Sequence, residues 1–159
     1  YPLIDPGQVA VRQSVTVDRF TFHPVPAAHE ALEQDEFGHY THLGYVIEMG
    51  PWTVYHSGDT VWYDGIVDEL DTFDIDVAIL PINGSDPDRG VAGNLNGEEA
   101  VELAQQIDAD LVVPCHFDMF EFNTVAPDEF VAAAEAAGQR YRVMGNGERM
   151  TLSWKRGNV

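Results

Sequence analysis

Apolar residues alternate with polar ones from Val9 to Val17 (Val9, Val11, Val15, Val17), and Phe20, Phe22 and Val25 carry the pattern on. This is the period of strands with one buried face, and two short strands ending at Pro24-Val25-Pro26 are expected. Leu43 to Met49 and Trp52 to His56 are apolar segments parted by Gly50-Pro51, a hairpin signature, and the second runs into Ser57-Gly58-Asp59. From Thr60 to Phe73 the positions of Val61, Trp62, Ile66, Val67 and Leu70 suit a short helix or an irregular connection. Asp76 to Ile82 and Leu111 to Pro114 are nearly continuous apolar runs, as in strands covered on both faces. The period changes over Gly97 to Ile107, where Ala100, Val101, Leu103, Ala104 and Ile107 have helical spacing. Asn96 suits the N-cap, with Glu98, Glu99 and Glu102 near the positive end of the helix dipole. Asp128 to Ala137 reads as another helix, stopped by Gly138. Tyr141 to Met144 and Arg149 to Trp154 are expected to close the chain as strands around Gly145-Asn146-Gly147. Ala27 to His42, with His29, His39 and His42 among acids, has no clean period and reads as a loop, as does Asn83 to Asn96.

This order predicts an α/β fold, a layered β-sheet with flanking helices. In such sheets the residues just past the strand ends gather along one edge, where ligands usually sit. Asp59, Asn83 and His116 all hold positions of that kind.

Composition narrows the class. At 159 residues and 45% apolar the chain suits one domain with a real core. A net charge of −19 makes nucleic acid a poor partner, because binding it requires Lys and Arg to neutralise phosphates. No apolar run is long enough to cross a bilayer, no basic amphipathic anchor is present and Tyr1 to Gly7 has no signal-peptide character, so no membrane partner and a cytoplasmic location are expected. The start at Tyr1 reads as a cut end. Acids are spread along the chain and Lys155 is the sole lysine, a composition like that of proteins from high-salt cytoplasm; solubility alone accounts for it about as well. Cys115 is the only cysteine, so no intrachain disulfide can form. It could be a ligand, a nucleophile or core filler, and a continuing strand would turn it to the face opposite His116.

Three side chains from separate strand ends carry the candidate chemistry: His29, Asp59 and His116. Imidazole and carboxylate together suit zinc, manganese or iron, and such ions activate water or polarise a carbonyl or phosphoryl oxygen. Spacing alone leaves open whether these histidines ligate a metal or are satisfied within the fold. Arg89, in the loop Asp86-Pro87-Asp88-Arg89-Gly90, could grip a substrate phosphate or pair with its acidic neighbours. Trp52, Trp62 and Trp154 read as core, since no basic groove accompanies them.

The succession Pro26-Ala27-Ala28-His29-Glu30, Tyr55-His56-Ser57-Gly58-Asp59-Thr60, Ile79-Leu80-Pro81-Ile82-Asn83-Gly84 and Val113-Pro114-Cys115-His116-Phe117-Asp118 resembles the C-terminal half of the metallo-β-lactamase superfamily, from about Val9 onward. Leu80 to Gly84, Asn96 with Glu99-Ala100, and Pro114 to Asp118 resemble most the L-ascorbate-6-phosphate lactonase branch. The resemblance implies one half of an αββα sandwich. It makes His29 a metal-binding histidine, Asp59 the catalytic carboxylate able to bridge two metals, and His116 the late histidine ligand. Asn83 and Asp118 would line the substrate side, where a turn asparagine and a capping aspartate are equally ordinary readings. The implied cofactor is a divalent metal, Zn or Mn, as one or two ions. The implied activity is hydrolysis of an ester or lactone by metal-activated water, with a phosphodiesterase as one alternative and a non-catalytic half-fold module as another.

The family's His-x-His-x-Asp-His motif is absent, and His39-Tyr40-Thr41-His42 does not replace it, so those two histidines read as exposed loop residues. The chain is therefore expected to be the C-terminal part of a longer hydrolase. Its expected partners are a small-molecule substrate, phosphorylated in the lactonase reading, and the missing N-terminal half or a complementary chain; a homo-oligomer is compatible with the sequence.

Overall fold

The computed structural model describes residues 13–90, 92–119 and 123–153, with the side chain of Arg89 outside the described set. Six strands form one sheet: β1 (Val15–Val17), β2 (Phe20–Pro26), β3 (Leu43–Met49), β4 (Trp52–His56), β5 (Val77–Pro81) and β6 (Leu111–Cys115). They lie side by side in chain order. β1 to β4 pair antiparallel, whereas β4 with β5 and β5 with β6 are parallel. The parallel pairs require crossovers, which contain the helices α1 (Ile66–Leu70) and α2 (Gly97–Gln106); α3 (Asp128–Ala137) follows β6. The layered α/β sheet read from the sequence is thus the fold observed. Of the expected first strand, Val15–Val17 is seen, and residues 9–12 lie outside the described set.

Alternation along the strands divides the core. Val46, Tyr55, Ala78, Leu80 and Val112 face the helices and pack with Ile66, Leu70, Leu103, Ala104, Phe130 and Ala134. Val54, Val77, Leu111 and Val113 face the other way, against Met144, Met150 and Leu152. α2 starts as its sequence requires: Asn96 Oδ1 accepts the Glu99 N–H at 2.8 Å and Glu99 Oε2 accepts the Asn96 N–H at 2.9 Å, a reciprocal capping box. α2 also meets α3 closely, since a Cβ at Gly97 would lie 2.6 Å from the Phe130 nitrogen.

The closing strands expected over Tyr141–Met144 and Arg149–Trp154 do not form among the described residues; Trp154 lies outside them. Tyr141 makes a single parallel bridge to Val112. The turn that follows closes on itself instead of launching a ladder. The Glu148 N–H donates to the Gly145 carbonyl at 3.0 Å, and its carboxylate accepts from Arg142 and from the Gly145 N–H. Met144, Met150 and Leu152 cover the second face as side chains from irregular backbone. No helix among the described residues is long and apolar enough to cross a membrane.

Candidate metal centre

Strand direction brings the candidate residues to one edge. β2, β4, β5 and β6 all run the same way, so the segments after Pro26, His56, Pro81 and Cys115 emerge together, and the segment before Leu43 arrives there. Those segments carry His29, Asp59, Asn83, His116 and His42. Backbone bonds hold them in place. The Ala27 N–H donates to the His42 carbonyl at 3.0 Å and the Val61 N–H to the Ala28 carbonyl at 2.8 Å, while Tyr63 Oη donates to the Pro26 carbonyl at 2.8 Å.

The turn bearing Asp59 exists because two glycines let backbone approach backbone. A Cβ at Gly44 would lie 2.4 Å from the Ser57 carbonyl oxygen, and one at Gly58, where φ is 66°, would lie 2.8 Å from the Leu43 oxygen. His56 straps the same turn from its other side, its Nδ1 accepting the Gly58 N–H at 3.0 Å.

Asp59 Oδ2 and His116 Nε2 are 3.6 Å apart, with the carboxylate half-exposed and the imidazole 13% exposed. That separation is too long for a hydrogen bond. It is close to the spacing of two ligands each about 2.1 Å from a shared tetrahedral ion. His116 sits at φ 58° and Asp118 at φ 52°, and Glu30, next to His29, is at φ 81°. Left-handed backbone in such residues is uncommon and gathers at functional sites.

A depression of about 350 Å³ is lined by Ala27, His29, Thr41, His42, Leu43 and Asp59. The His29 and His42 rings are 5.2 Å apart, and His42 Nδ1 is 3.1 Å from Thr41 Oγ1. The structure thus joins His29 to Asp59 across this depression and Asp59 to His116 by direct approach. It also adds His42, which reads in the sequence only as a loop residue three places from His39. His39 itself turns to Asp35, with Nδ1 3.2 Å from Oδ2, and the backbone N–H groups of His39 and Phe37 help hold the Asp35 carboxyl below its ordinary range.

The other singled-out residues stand further back. Asn83 is buried, donating to Asn123 Oδ1 at 3.1 Å and accepting from Asn94 Nδ2 at 2.9 Å. Asp118 is exposed on the segment after His116, its N–H donating to Thr124 Oγ1. Arg89 ends a short 3-10 turn, Pro87–Arg89, and its side chain, the part relevant to phosphate binding, lies outside the described residues. Cys115 is half-buried, and burial, with the Asp59 carboxylate adding to it, pushes its thiol up to about 12. It remains a neutral thiol near neutral pH and is a poor nucleophile.

The donor chemistry, imidazole and carboxylate on a solvent-open edge, fits a divalent ion. Its number does not close a site: among the described residues no three His, Cys, Asp or Glu side chains converge on one point.

Similarity to known proteins identifies the family. The chain is 37% identical over 125 residues to a UPF0173 metal-dependent hydrolase from Methanoculleus marisnigri, covering 77% of this chain and 53% of that protein. It is 35% identical over 109 residues to another from Salinibacter ruber, covering 69% and 45%. The chain therefore spans about half the length of the curated relatives it matches. Among solved structures, a metallo hydrolase from the hyperthermophilic archaeon Ignicoccus hospitalis superposes with a TM-score of 0.73 at 25% identity, over 92% of this chain and 60% of that one. The family model described as the beta-lactamase superfamily domain matches residues 4–117. With most of its length matched by that model, the chain belongs to the beta-lactamase superfamily domain family.

Proposed function

We propose that this chain supplies part of the metal centre of a metal-dependent hydrolase acting on an ester or lactone. The observation that carries this reading is the approach of Asp59 to His116 at 3.6 Å, on the edge where His29 and His42 also stand. The names of its relatives, metal-dependent hydrolases, agree with it. Asp59 and His116 would hold the ion, with His29 reaching it from across the depression. A divalent ion such as zinc or manganese makes water more acidic and polarises a carbonyl or phosphoryl oxygen. The chain's own residues do the positioning: the left-handed backbone at residue 116 aims the imidazole, and the paired glycines at 44 and 58 seat the carboxylate. The preference for a lactone rests on Leu80 to Gly84 and Pro114 to Asp118, which resemble the ascorbate-phosphate lactonase branch.

In the full-length protein, Asp59→Ala and His116→Ala should each lower hydrolysis by about 100-fold or more, beyond the 10–100-fold that changes in groups supporting a ligand cost. Metal content, measured alongside, should fall. Activity assayed with a sugar lactone phosphate and with a bis-aryl phosphodiester separates lactonase from phosphodiesterase. A second reading, a binding module without catalysis, is favoured by the absence of three converging donors among the described residues. Unchanged metal content in both alanine variants would remove the first reading and leave the second.

A further inference from the structure

Asp59 and His29 reach the same depression from separate turns, and the contact that locks those turns together belongs to neither. Thr60 follows Asp59 and Ala28 precedes His29, and both are buried, at 0% and 1% exposure. The Ala28 N–H donates to Thr60 Oγ1 at 2.9 Å, and the Thr60 hydroxyl donates onward to the Val61 carbonyl at 2.9 Å. The Val61 N–H returns to the Ala28 carbonyl at 2.8 Å. A hydroxyl therefore stands where a strand ladder would use a carbonyl, and threonine suits the place because its oxygen both accepts and donates. The Thr60 carbonyl also accepts the Leu95 N–H at 2.8 Å, which ties in the segment carrying Asn94 and the α2 cap Asn96.

We propose that Thr60 is a positioning residue for the metal centre: its hydroxyl sets the spacing between the turn presenting Asp59 and the turn presenting His29. The proposal rests on the reading of Asp59 and His29 as metal ligands. Removing the oxygen while keeping the side-chain volume leaves the Ala28 N–H buried without its acceptor, so the turns part or admit water. Metal–ligand distances tolerate only about 0.2 Å, so a displacement too small to unfold the sheet is large enough to weaken an ion's hold.

The test is metal affinity in the full-length protein, measured by competition with a chromophoric chelator using zinc and manganese. Thr60→Val should bind about 10- to 100-fold more weakly, as is typical when a group supporting a ligand is lost, and Thr60→Ser should stay near the native value. The Ala28 amide should be protected from hydrogen exchange in the native protein and in Thr60→Ser, and should exchange in Thr60→Val. A role in stability alone would lower the unfolding temperature of the metal-free protein and leave affinity unchanged; that result overturns the proposal. If Thr60→Val does not fold, Thr60→Cys takes its place, with similar bulk and a weaker acceptor. Equal affinities in Thr60→Cys and Thr60→Ser then overturn the proposal. Asp59→Ala separates the two layers. If it loses metal while Thr60→Val keeps it, only the positioning role fails; if it binds metal normally, the ligand assignment and the positioning role fall together.

Discussion

His56 shows how a residue outside the donor set can govern it. It is exposed along one side, yet enough of its ring is enclosed that burial lowers its pKa from the ordinary 6.5, against the opposing pull of the Asp59 carboxylate. The neutral ring is the form that accepts the Gly58 N–H, because the imidazolium carries a proton on both nitrogens. The folded pKa lies below the unfolded one, so as pH falls the unfolded chain takes up the proton first. Stability from this group is full above about pH 6.5 and is lost as pH falls through the folded value. Thermal unfolding followed across that range should show the decline in the native protein and a shallower one in His56→Asn, whose Oδ1 can accept the same N–H without titrating. Equal slopes would remove His56 as the source. Legibility at this scale follows strand ends. His29, Asp59 and His116 can be singled out as candidates because each lies just past an apolar run. His42 cannot, because its approach to His29 depends on the Pro26–Leu43 register, which pairs the end of one strand with the start of the next across an aperiodic loop.

Among the elements, the β3–β4 hairpin carries the most consequence per residue. Gly44 lies in β3 opposite the Asp59 turn, with the Ser57 carbonyl 2.4 Å from where a Cβ would stand, whereas Gly50 at the hairpin tip has nothing within 4 Å. Gly44→Ala should therefore cost about 1–3 kcal/mol as overpacking against rigid backbone. Gly50→Ala, at φ 63°, should cost about 1 kcal/mol from left-handed strain alone. Denaturant unfolding of the two variants measures the difference, and metal affinity should fall only in the first. The hairpin itself was plain from Gly50-Pro51 between apolar runs, and α2 from Asn96 and its glutamates. The C-terminal segment departs from its sequence signal for a physical reason. Gly145-Asn146-Gly147 has the composition of a hairpin turn, but Glu148 captures the Gly145 backbone and the Arg142 side chain, while the Arg140 carbonyl and the Arg142 N–H pair with Val112 of β6. A turn signal fixes where a chain bends; what the flanking residues pair with depends on side chains beyond it.

For the molecule as a whole, charge is the dominant unbalanced term. Eight basic residues cannot neutralise 27 acidic ones, so ion pairs such as Arg142–Glu148 leave a large excess of negative charge. Added salt shortens the reach of the resulting repulsion from about 10 Å at 0.1 M to about 3 Å at 1 M. The unfolding temperature should rise over that interval of sodium chloride, measured in the presence of chelator so that metal binding does not contribute; a flat response would assign the acidity to solubility alone. The sheet's strand order bears on how the molecule is made. Because the strands lie in chain order, each can add to a sheet edge already present as the polypeptide leaves the ribosome, and none must wait for a partner made later. The antiparallel pairs come first. The parallel pairs, which need long crossovers and form slowly, come last, and with them Asn83 and His116. Synthesis on this order lays down the four antiparallel strands and the Asp59 turn before the imidazole that faces it, so a nascent chain holds one wall of the candidate site well before it holds the other.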